Sequence, residues 1–179
     1  MSTTPKPTGY LALCERIAAL RAEGICPTCH DIHHGGVFVD QIIVFEDERM
    51  RIALDQFPRS HGQTIVVWKA HHEDFTTLAP EETAALFTRC TEVANAIKRG
   101  LGAEKVYLVT MCDGAPNHLH IQLLPRYAGE PIGSKRFVGP QSPLEDGESI
   151  ATRLQSAMRL PQKVFPIGDM HCATVPGLT

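Results

Sequence analysis

The segment Asn117–Arg126 places two histidines and a glutamine at alternate positions, and these side chains are suited to phosphate chemistry. Alternate side chains of a β-strand point to opposite faces, so His118, His120 and Gln122 share one face. The apolar residues between them share the other face. A strand that only needed a solvated face would usually carry Thr, Lys or Glu. The pattern therefore favours a chemical role over incidental histidines on an amphipathic strand.

His120, in the middle of the three, is the predicted nucleophile. A neutral imidazole has a pKa of about 6.5 and can attack phosphorus near neutral pH, which leaves a labile phosphoramidate. The Gln122 carboxamide can donate a hydrogen bond to a phosphate oxygen as charge develops, but it cannot act as a general acid. We therefore expect a leaving group that needs little protonation, such as a polyphosphate or a sugar phosphate.

The segment Cys26–His34 has the highest density of potential metal ligands in the chain. The spacing of Cys26 and Cys29 suits two thiolates on one tetrahedral Zn²⁺. The same spacing occurs in redox proteins. That alternative requires a βαβ setting in which the second cysteine opens a helix, and the sequence predicts none.

Hydrophobic periodicity predicts the elements that position these residues. In chain order they are a short amphipathic lid or support helix (10–20), strands at 38–45, 49–55 and 63–68, a helix of about 20 residues from Pro80 to Gly100 or Gly102, strands at 105–111 and 118–124, and a short helix near 148–158. This order predicts an α+β domain with a mostly antiparallel sheet of about five strands, one long helix and short flanking helices.

These segments resemble the histidine triad (HIT) superfamily, whose signature is His-x-His-x-His followed by two apolar residues and often Pro-Arg. Gln122 stands at the third position, as in the branch of galactose-1-phosphate uridylyltransferases and diadenosine tetraphosphate phosphorylases. The resemblance extends upstream and covers roughly residues 25–127, through Phe45–Asp55, Pro58, Gly62–His71 and Leu78–Glu82. The departures are Gln63 where histidine is common, Trp68 where proline is common, and a 113–118 loop that lacks the usual Gly-Gln-Ser or Gly-Gln-Thr phosphate-binding segment.

The resemblance implies that His120 attacks the α-phosphorus of a nucleotide and forms a nucleotidyl-histidine, which a second acceptor resolves. It also implies that Asp55 holds the ribose hydroxyls, a task suited to a carboxylate. Asn117 and the Gly114 backbone could supply further donors to phosphate. Lys135 and Arg136 could meet the distal phosphates, although exposed cations are usually only solvated.

In the uridylyltransferase branch, the first histidine of the motif joins a Cys-x-x-Cys pair and a distant histidine on a structural zinc. The resemblance therefore implies a closed zinc site in which His118 joins Cys26, Cys29 and His71. In the alternative without metal, His118 bonds a backbone carbonyl and the cysteines are reduced thiols. His72, and the three histidines at 30, 33 and 34, remain alternatives to His71.

The composition is that of an ordinary globular protein, with 43% apolar and 21% charged residues among 179. We expect one HIT-like domain over 1–179, with a C-terminal extension from 128. The net charge of −3 argues against duplex nucleic acid or an anionic membrane as partner. No signal peptide or membrane span is recognisable, and six unevenly spaced cysteines suit reduced thiols, so we expect a cytoplasmic protein.

The leading hypothesis is a nucleotidyl hydrolase or transferase acting through His120, with a dinucleoside polyphosphate such as diadenosine tetraphosphate as substrate. One alternative is a uridylyltransferase-like enzyme of sugar nucleotides. In another, His118 and His120 together bind a catalytic metal. A third is a zinc-stabilised nucleotide-binding module without turnover. The resemblance also implies a homodimer.

Overall fold

The computed structural model describes residues 8–111, 114–133 and 137–159, so Lys135 and Arg136 lie outside the described residues. The elements in chain order are α1 (Thr8–Ala22), α2 (Pro27–His34), β1 (Ile43–Glu46), β2 (Met50–Leu54), β3 (Thr64–Trp68), a short 3₁₀ helix (Phe75–Thr77), α3 (Pro80–Leu101), β4 (Lys105–Val109), β5 (His120–Arg126) and α4 (Gly147–Met158).

The five strands form one sheet in the order β1-β2-β3-β5-β4, and every neighbouring pair is antiparallel. The predicted fold class is therefore confirmed. β5 lies between β3 and β4, with His120 opposite Val67 and Gln122 opposite both Ile65 and Val109. Hydrogen bonds on both sides hold the strand that carries the predicted nucleophile.

The long helix α3 covers one face of this sheet. Its buried stripe, which includes Leu86, Val93 and Ile97, packs in one hydrophobic cluster with Ile121 and Leu123 of β5. Fully burying side chains of this kind contributes about 1.5–3 kcal/mol each. Because side chains alternate along β5, the burial of Ile121 and Leu123 against α3 turns His120 and Gln122 to the opposite face.

The ends of α3 follow ordinary capping chemistry. Pro80 occupies the first turn, the Glu82 carboxylate accepts from the Ala79 backbone N–H at 2.9 Å, and Gly102 takes a left-handed φ of 78° just past the last turn. Among the described residues, no helix is both long enough and apolar enough to cross a membrane.

α4 packs against α3 and joins the same core through Ile150, Leu154 and Ala157. Gly100 permits the close approach, because a Cβ there would lie 3.1 Å from the Arg153 carbonyl oxygen. The C-terminal extension is thus bound to the sheet domain as far as residue 158.

The structure corrects two predicted boundaries. The strand predicted at 38–45 begins only at Ile43, because the Asp31 carboxylate captures the Val37 and Phe38 N–H groups and holds that segment out of the sheet. The strand predicted at 118–124 begins at His120, so His118 lies in the extended segment just before it.

Candidate active site and metal centre

His120 is the first residue of β5, and its ring is oriented by the backbone. The Nδ1 atom lies 2.8 Å from the carbonyl oxygen of His118. A carbonyl oxygen only accepts hydrogen bonds, so in the neutral ring Nδ1 carries the proton and Nε2 has the lone pair. This tautomer is the one that a nucleophilic Nε2 requires.

His120 lines a cavity of about 210 Å³ on the sheet face that α3 leaves uncovered. Its apolar wall comes from α1 and α2 as well as from the sheet, and includes Leu13, Ile17, Ile32, Phe38, Ile65 and Val67. Its polar groups include Asp55 and Asn117. An apolar cavity with a few convergent polar groups is typical of a small-molecule site.

Asp55 follows β2 and points into this cavity with both carboxylate oxygens already engaged. Oδ1 accepts from the Phe57 backbone N–H at 2.9 Å, and Oδ2 accepts from Gln63 Nε2 at 2.7 Å. Burial raises the pKa of Asp55, and the Phe57 hydrogen bond and the nearby Arg59 and His120 only partly oppose this rise. The remaining lone pairs are placed to accept from ligand hydroxyls.

Gln122 lies one pleat beyond His120, half-buried, and does not itself line the cavity wall. Its Oε1 accepts from Gln63 Nε2 at 3.2 Å. Asn117, which does line the cavity, donates to the Glu73 carbonyl oxygen at 2.6 Å, so one amide hydrogen remains for a ligand.

Arg21 of α1 is a cavity residue that the sequence analysis missed. Gly114 has a φ of 89°, and a Cβ there would lie 3.3 Å from Arg21 Nη1. A glycine therefore leaves room for the guanidinium beside the 114–117 segment. The available signal was helical spacing, since Arg21 lies four residues after Ile17 on the same face of α1.

Cys26, Cys29, His71 and His118 come together as the resemblance implied, with one ligand atom from each within 4.8 Å of all the others. His118 Nδ1 lies 3.4 Å from the Cys26 sulfur and 3.3 Å from the Cys29 sulfur, and His71 Nδ1 lies 3.2 Å from the latter. Tetrahedral zinc bonds of about 2.0–2.3 Å separate neighbouring ligand atoms by about 3.6 Å. The four donors therefore fit a closed zinc site after small adjustments.

The outer hydrogen bond of His118 also fits a metal ligand. Nε2 lies 2.6 Å from the Trp68 carbonyl oxygen, so it donates there while Nδ1 faces the sulfurs. Zinc-bound histidines commonly donate their second N–H in this way. Burial lowers the pKa of His118, which favours the neutral form that binds metal.

The Cys29 thiol needs a metal to lose its proton near neutral pH. Burial, with Cys26 adjacent, raises the pKa of the Cys29 thiol to about 11. A zinc ion at this site would supply the positive charge that favours the thiolate.

The four candidate ligand residues lie in or next to three elements. Cys26 caps α2 and Cys29 lies in its first turn, His71 follows β3, and His118 precedes β5. A buried ion pair of Asp31 with Arg51, at 2.9 Å, ties α2 to the sheet. The sequence predicted no helix at the Cys-x-x-Cys motif, but α2 does follow Cys26. The next strands, β1 and β2, form an antiparallel hairpin. The βαβ unit that the redox alternative requires is therefore absent from the described residues.

The alternatives to His71 lie elsewhere. The His72 ring is hydrogen-bonded to the Thr77 hydroxyl at 2.9 Å. The backbone carbonyl oxygen of His72 accepts from the Leu119 N–H. The His30 and His34 rings contact each other along α2 in a tilted arrangement, with centroids 5.0 Å apart. Neither they nor His33 join the four-residue cluster found among the described residues.

Residues 37–129 match the HIT domain family, and the chain belongs to that family. An uncharacterized HIT-like protein of Methanocaldococcus jannaschii is 30% identical over 92 residues, which are 49% of this chain and 70% of that protein. An adenylylsulfatase of Arabidopsis thaliana is 28% identical over 87 residues, which are 46% of this chain and 44% of that protein. HIT proteins are in general nucleotide-binding hydrolases or transferases.

Solved structures show the same fold. A hypothetical histidine triad nucleotide-binding protein of Sulfolobus tokodaii aligns at TM-score 0.61 and 25% identity, over 74% of this chain and 91% of that one. A zinc-bound histidine triad protein of Mycobacterium smegmatis aligns at TM-score 0.60 and 25% identity, over 74% and 92%. Cys26 and Cys29 precede the region that matches the family.

We expect about one zinc per chain in protein purified without chelators, and loss of that zinc in Cys29→Ser. We expect the variant without zinc to be less stable by about 2 kcal/mol, which lowers the melting temperature of a domain of this size by about 4–8 °C. Cys14→Ser is the matched control, because Cys14 lies in α1 outside the cluster. Elemental analysis and thermal unfolding test this, and full zinc content in Cys29→Ser would contradict it.

Asp55→Asn should change how stability depends on pH. Burial raises the native pKa of Asp55 above its unfolded value of about 3.9, so between those values only the native state holds the proton. The free energy of unfolding then falls as pH rises through that window, by at most about 1.4 kcal/mol per pH unit, and Asp55→Asn lacks this contribution.

Urea unfolding from about pH 2 to pH 7 measures the difference between wild type and variant. Asp74→Asn is the contrast, because hydrogen bonds from the Thr76 hydroxyl and N–H lower the native pKa of Asp74, so its contribution to stability rises with pH, and it does so below about pH 3.9. Equal slopes for the two variants would refute the burial argument.

Proposed function

We propose that this protein is a nucleotidyl hydrolase or transferase that cleaves at the α-phosphate of a nucleotide through a nucleotidyl-histidine on His120. The observation that carries the proposal is the hydrogen bond from His120 Nδ1 to the His118 carbonyl oxygen, in a cavity that also holds Asp55. The bond leaves Nε2 unprotonated, and the cavity offers a carboxylate for a ribose and apolar walls for a base.

In the first step, Nε2 of His120 attacks the α-phosphorus, an N–P bond forms, and the bond to the leaving oxygen breaks with its electron pair on that oxygen. The imidazole gains positive charge, which the His118 carbonyl oxygen stabilises through Nδ1–H. In the second step, the oxygen of water or of an acceptor phosphate attacks phosphorus, and the N–P bond breaks with its electron pair returning to Nε2. With water as the nucleophile, its proton passes to solvent, and the neutral imidazole returns.

The lining of the cavity supports the proposed roles of the other groups. The base lies between apolar residues of α1 and the sheet, and Asp55 accepts from the ribose hydroxyls. Arg21, the Gly114 backbone and the remaining Asn117 hydrogen face the phosphates. Gln122 donates to a non-bridging oxygen of the α-phosphate as negative charge develops there.

Gln122 bears on the choice of substrate because it cannot protonate a leaving group. A polyphosphate departs as a stable anion without a proton, which favours dinucleoside polyphosphates such as diadenosine tetraphosphate. Sulfate departs in the same way, so an adenylylated sulfate, the substrate class named for the Arabidopsis relative, also fits this site. A sugar nucleotide, which would release a sugar phosphate, fits the same argument.

The metal centre serves positioning in this proposal. Both ring nitrogens of His118 are engaged, one toward the sulfurs and one on the Trp68 carbonyl, so His118 has no nitrogen left to share a metal with His120. This disfavours the alternative of a catalytic metal held by the two histidines. Thiolate ligands of this kind suit a reducing compartment, and we place the protein in the cytoplasm on that ground.

His120→Ala should lower kcat by about 10³-fold or more with the fold intact, because the nucleophile is lost. Intact-protein mass spectrometry after a brief neutral quench should show one AMP on the wild type with diadenosine tetraphosphate, and none on His120→Ala. Adenylyl sulfate and UDP-glucose are run in parallel to name the nucleotide. His61→Ala is the control, because His61 is exposed outside the cavity.

Turnover by His120→Ala, or product from the wild type with no adduct, would contradict covalent catalysis. AMP binding without turnover of any of the three substrates would identify a binding module instead. Circular dichroism verifies that each variant is folded.

We also propose a homodimer formed through the outer edge of β4 and the adjoining surface of α3. Three apolar side chains are exposed there, Phe87 at 41%, Leu108 at 44% and Met111 at 41%. Because Leu108 lies opposite the core residue Leu123, it faces the side of the sheet that α3 covers.

Light scattering should give the mass of two chains for the wild type and of one chain for Leu108→Arg, because the new charge lies at the contact. Ile132→Arg changes an 80% exposed apolar residue outside the sheet and should leave the mass unchanged. A monomeric wild type at micromolar concentration would remove the proposal.

A further inference from the structure

Gln63 lies at the centre of a chain of hydrogen bonds behind the proposed reaction centre, and its side chain is fully buried. Its Oε1 accepts from the Arg59 backbone N–H at 2.9 Å. Its Nε2 donates to Asp55 Oδ2 at 2.7 Å and to Gln122 Oε1 at 3.2 Å. One carboxamide thus touches the backbone, the proposed ribose ligand and the proposed phosphate donor.

The backbone determines which way round the Gln63 amide lies. The Arg59 N–H can only donate, so the atom it meets must be the carboxamide oxygen. Rotation of the amide would set nitrogen against that N–H and oxygen against the Asp55 carboxylate. Both contacts would then be repulsive in a buried site. The turn itself is closed by the Gln63 N–H on the Ser60 carbonyl at 3.0 Å.

The orientation of Gln63 dictates that of Gln122. Because Gln63 offers only hydrogens on this side, Gln122 must present its oxygen, and its Nε2 with two hydrogens is turned away from Gln63. Among the described residues, none accepts a hydrogen bond from that nitrogen. A glutamine without such a partner could present either end to a phosphate, and its oxygen would repel the phosphate oxygens.

We propose that Gln63 is a positioning residue that sets the amide of Gln122 so that its N–H groups, rather than its oxygen, meet the α-phosphate of the nucleotide. This inference rests on the phosphate-donor role given to Gln122 above. Gln63 also holds Asp55 through Oδ2, so it acts on nucleotide binding by a second route. Only a carboxamide provides the one acceptor and two donors that the three contacts require.

The two routes predict different kinetic effects. Loss of the Gln122 orientation removes a contact that strengthens as charge develops, so it lowers kcat. Loss of the Asp55 contact weakens ribose binding, so it raises KM. If Gln63 served packing alone, its substitution would not separate an effect on kcat from an effect on KM. The effect on kcat would also be the same with or without the Gln122 amide.

A double-mutant cycle on kcat tests the proposal. Gln122→Met should lower kcat about 10²-fold, the size expected for one oriented donor. Gln63→Met, of similar volume, should lower kcat about 5–10-fold. The double variant should stay near 10²-fold, because Gln63 acts on kcat through Gln122. Gln155→Met is the matched control, since Gln155 donates to the Val44 carbonyl far from the cavity, and should leave kcat unchanged.

Gln63→Glu is a second variant in case Gln63→Met fails to fold, because one carboxyl oxygen still accepts from the Arg59 N–H and the other can share a proton with Asp55. It would draw the Gln122 N–H groups toward itself and should lower kcat more than Gln63→Met does, again with no further loss in the Gln122→Met background.

The outcomes separate the two proposals. Additive losses, near 10³-fold in the double variant, would overturn the positioning role of Gln63 while leaving the donor role of Gln122. An unchanged kcat in Gln122→Met would overturn the donor role, and the inference on Gln63 would fail with it, whereas the covalent role of His120 would stand or fall on the adduct.

Discussion

His118 is the residue on which the candidate active site depends. Its ring Nδ1 faces two cysteine sulfurs, its Nε2 donates to the Trp68 carbonyl, and its own carbonyl oxygen accepts from His120. The side chain therefore belongs to the candidate metal centre, and the backbone to the proposed reaction centre. Because one residue carries both contacts, fixing the His118 ring also fixes the hydrogen bond that selects the His120 tautomer.

The sheet supports this arrangement from below. β5 is paired on both edges, and its apolar face lies in the core with α3 and α4, so its backbone has little freedom to shift. Because side chains alternate along a strand, the polar side chains that carry charge or hydrogen bonds lie on the other face. Asp55, Gln63 and Gln122 meet there because they occupy β2, β3 and β5 or the residues next to them, at one level of the sheet.

Much of the fold was predictable because its strands alternate and its long helix carries a continuous apolar stripe with Pro80 and Gly102 at its ends. The start of β1 was not, because Asp31, distant in sequence, competes for the Val37 and Phe38 N–H groups. The short helix α2 was missed because eight residues carry little periodic signal, and because its first turn is capped by a thiol, which is not one of the usual N-cap residues.

The candidate site, like the fold, was only partly predictable from the sequence. The four metal-ligand candidates followed from a known arrangement of cysteines and histidines, and the structure brings them together. Arg21 and Gln63 were not assigned a site role, because their partners, Gly114 for one and Asp55 with Gln122 for the other, are joined to them only by tertiary structure. No local pattern distinguishes such residues from an ordinary helix cation or strand-end amide.

The cavity walls contributed by α1 have a consequence for how this chain can diversify. α1 precedes the segment that matches the HIT family, and it meets the site through a few side chains such as Leu13, Ile17 and Arg21. The side chains of Leu13 and Ile17 are apolar, so they make none of the hydrogen bonds that hold His120, Gln63 or the metal-ligand candidates. Under the proposed function, changes at these two positions can therefore alter how a ligand fits the cavity without removing those hydrogen bonds.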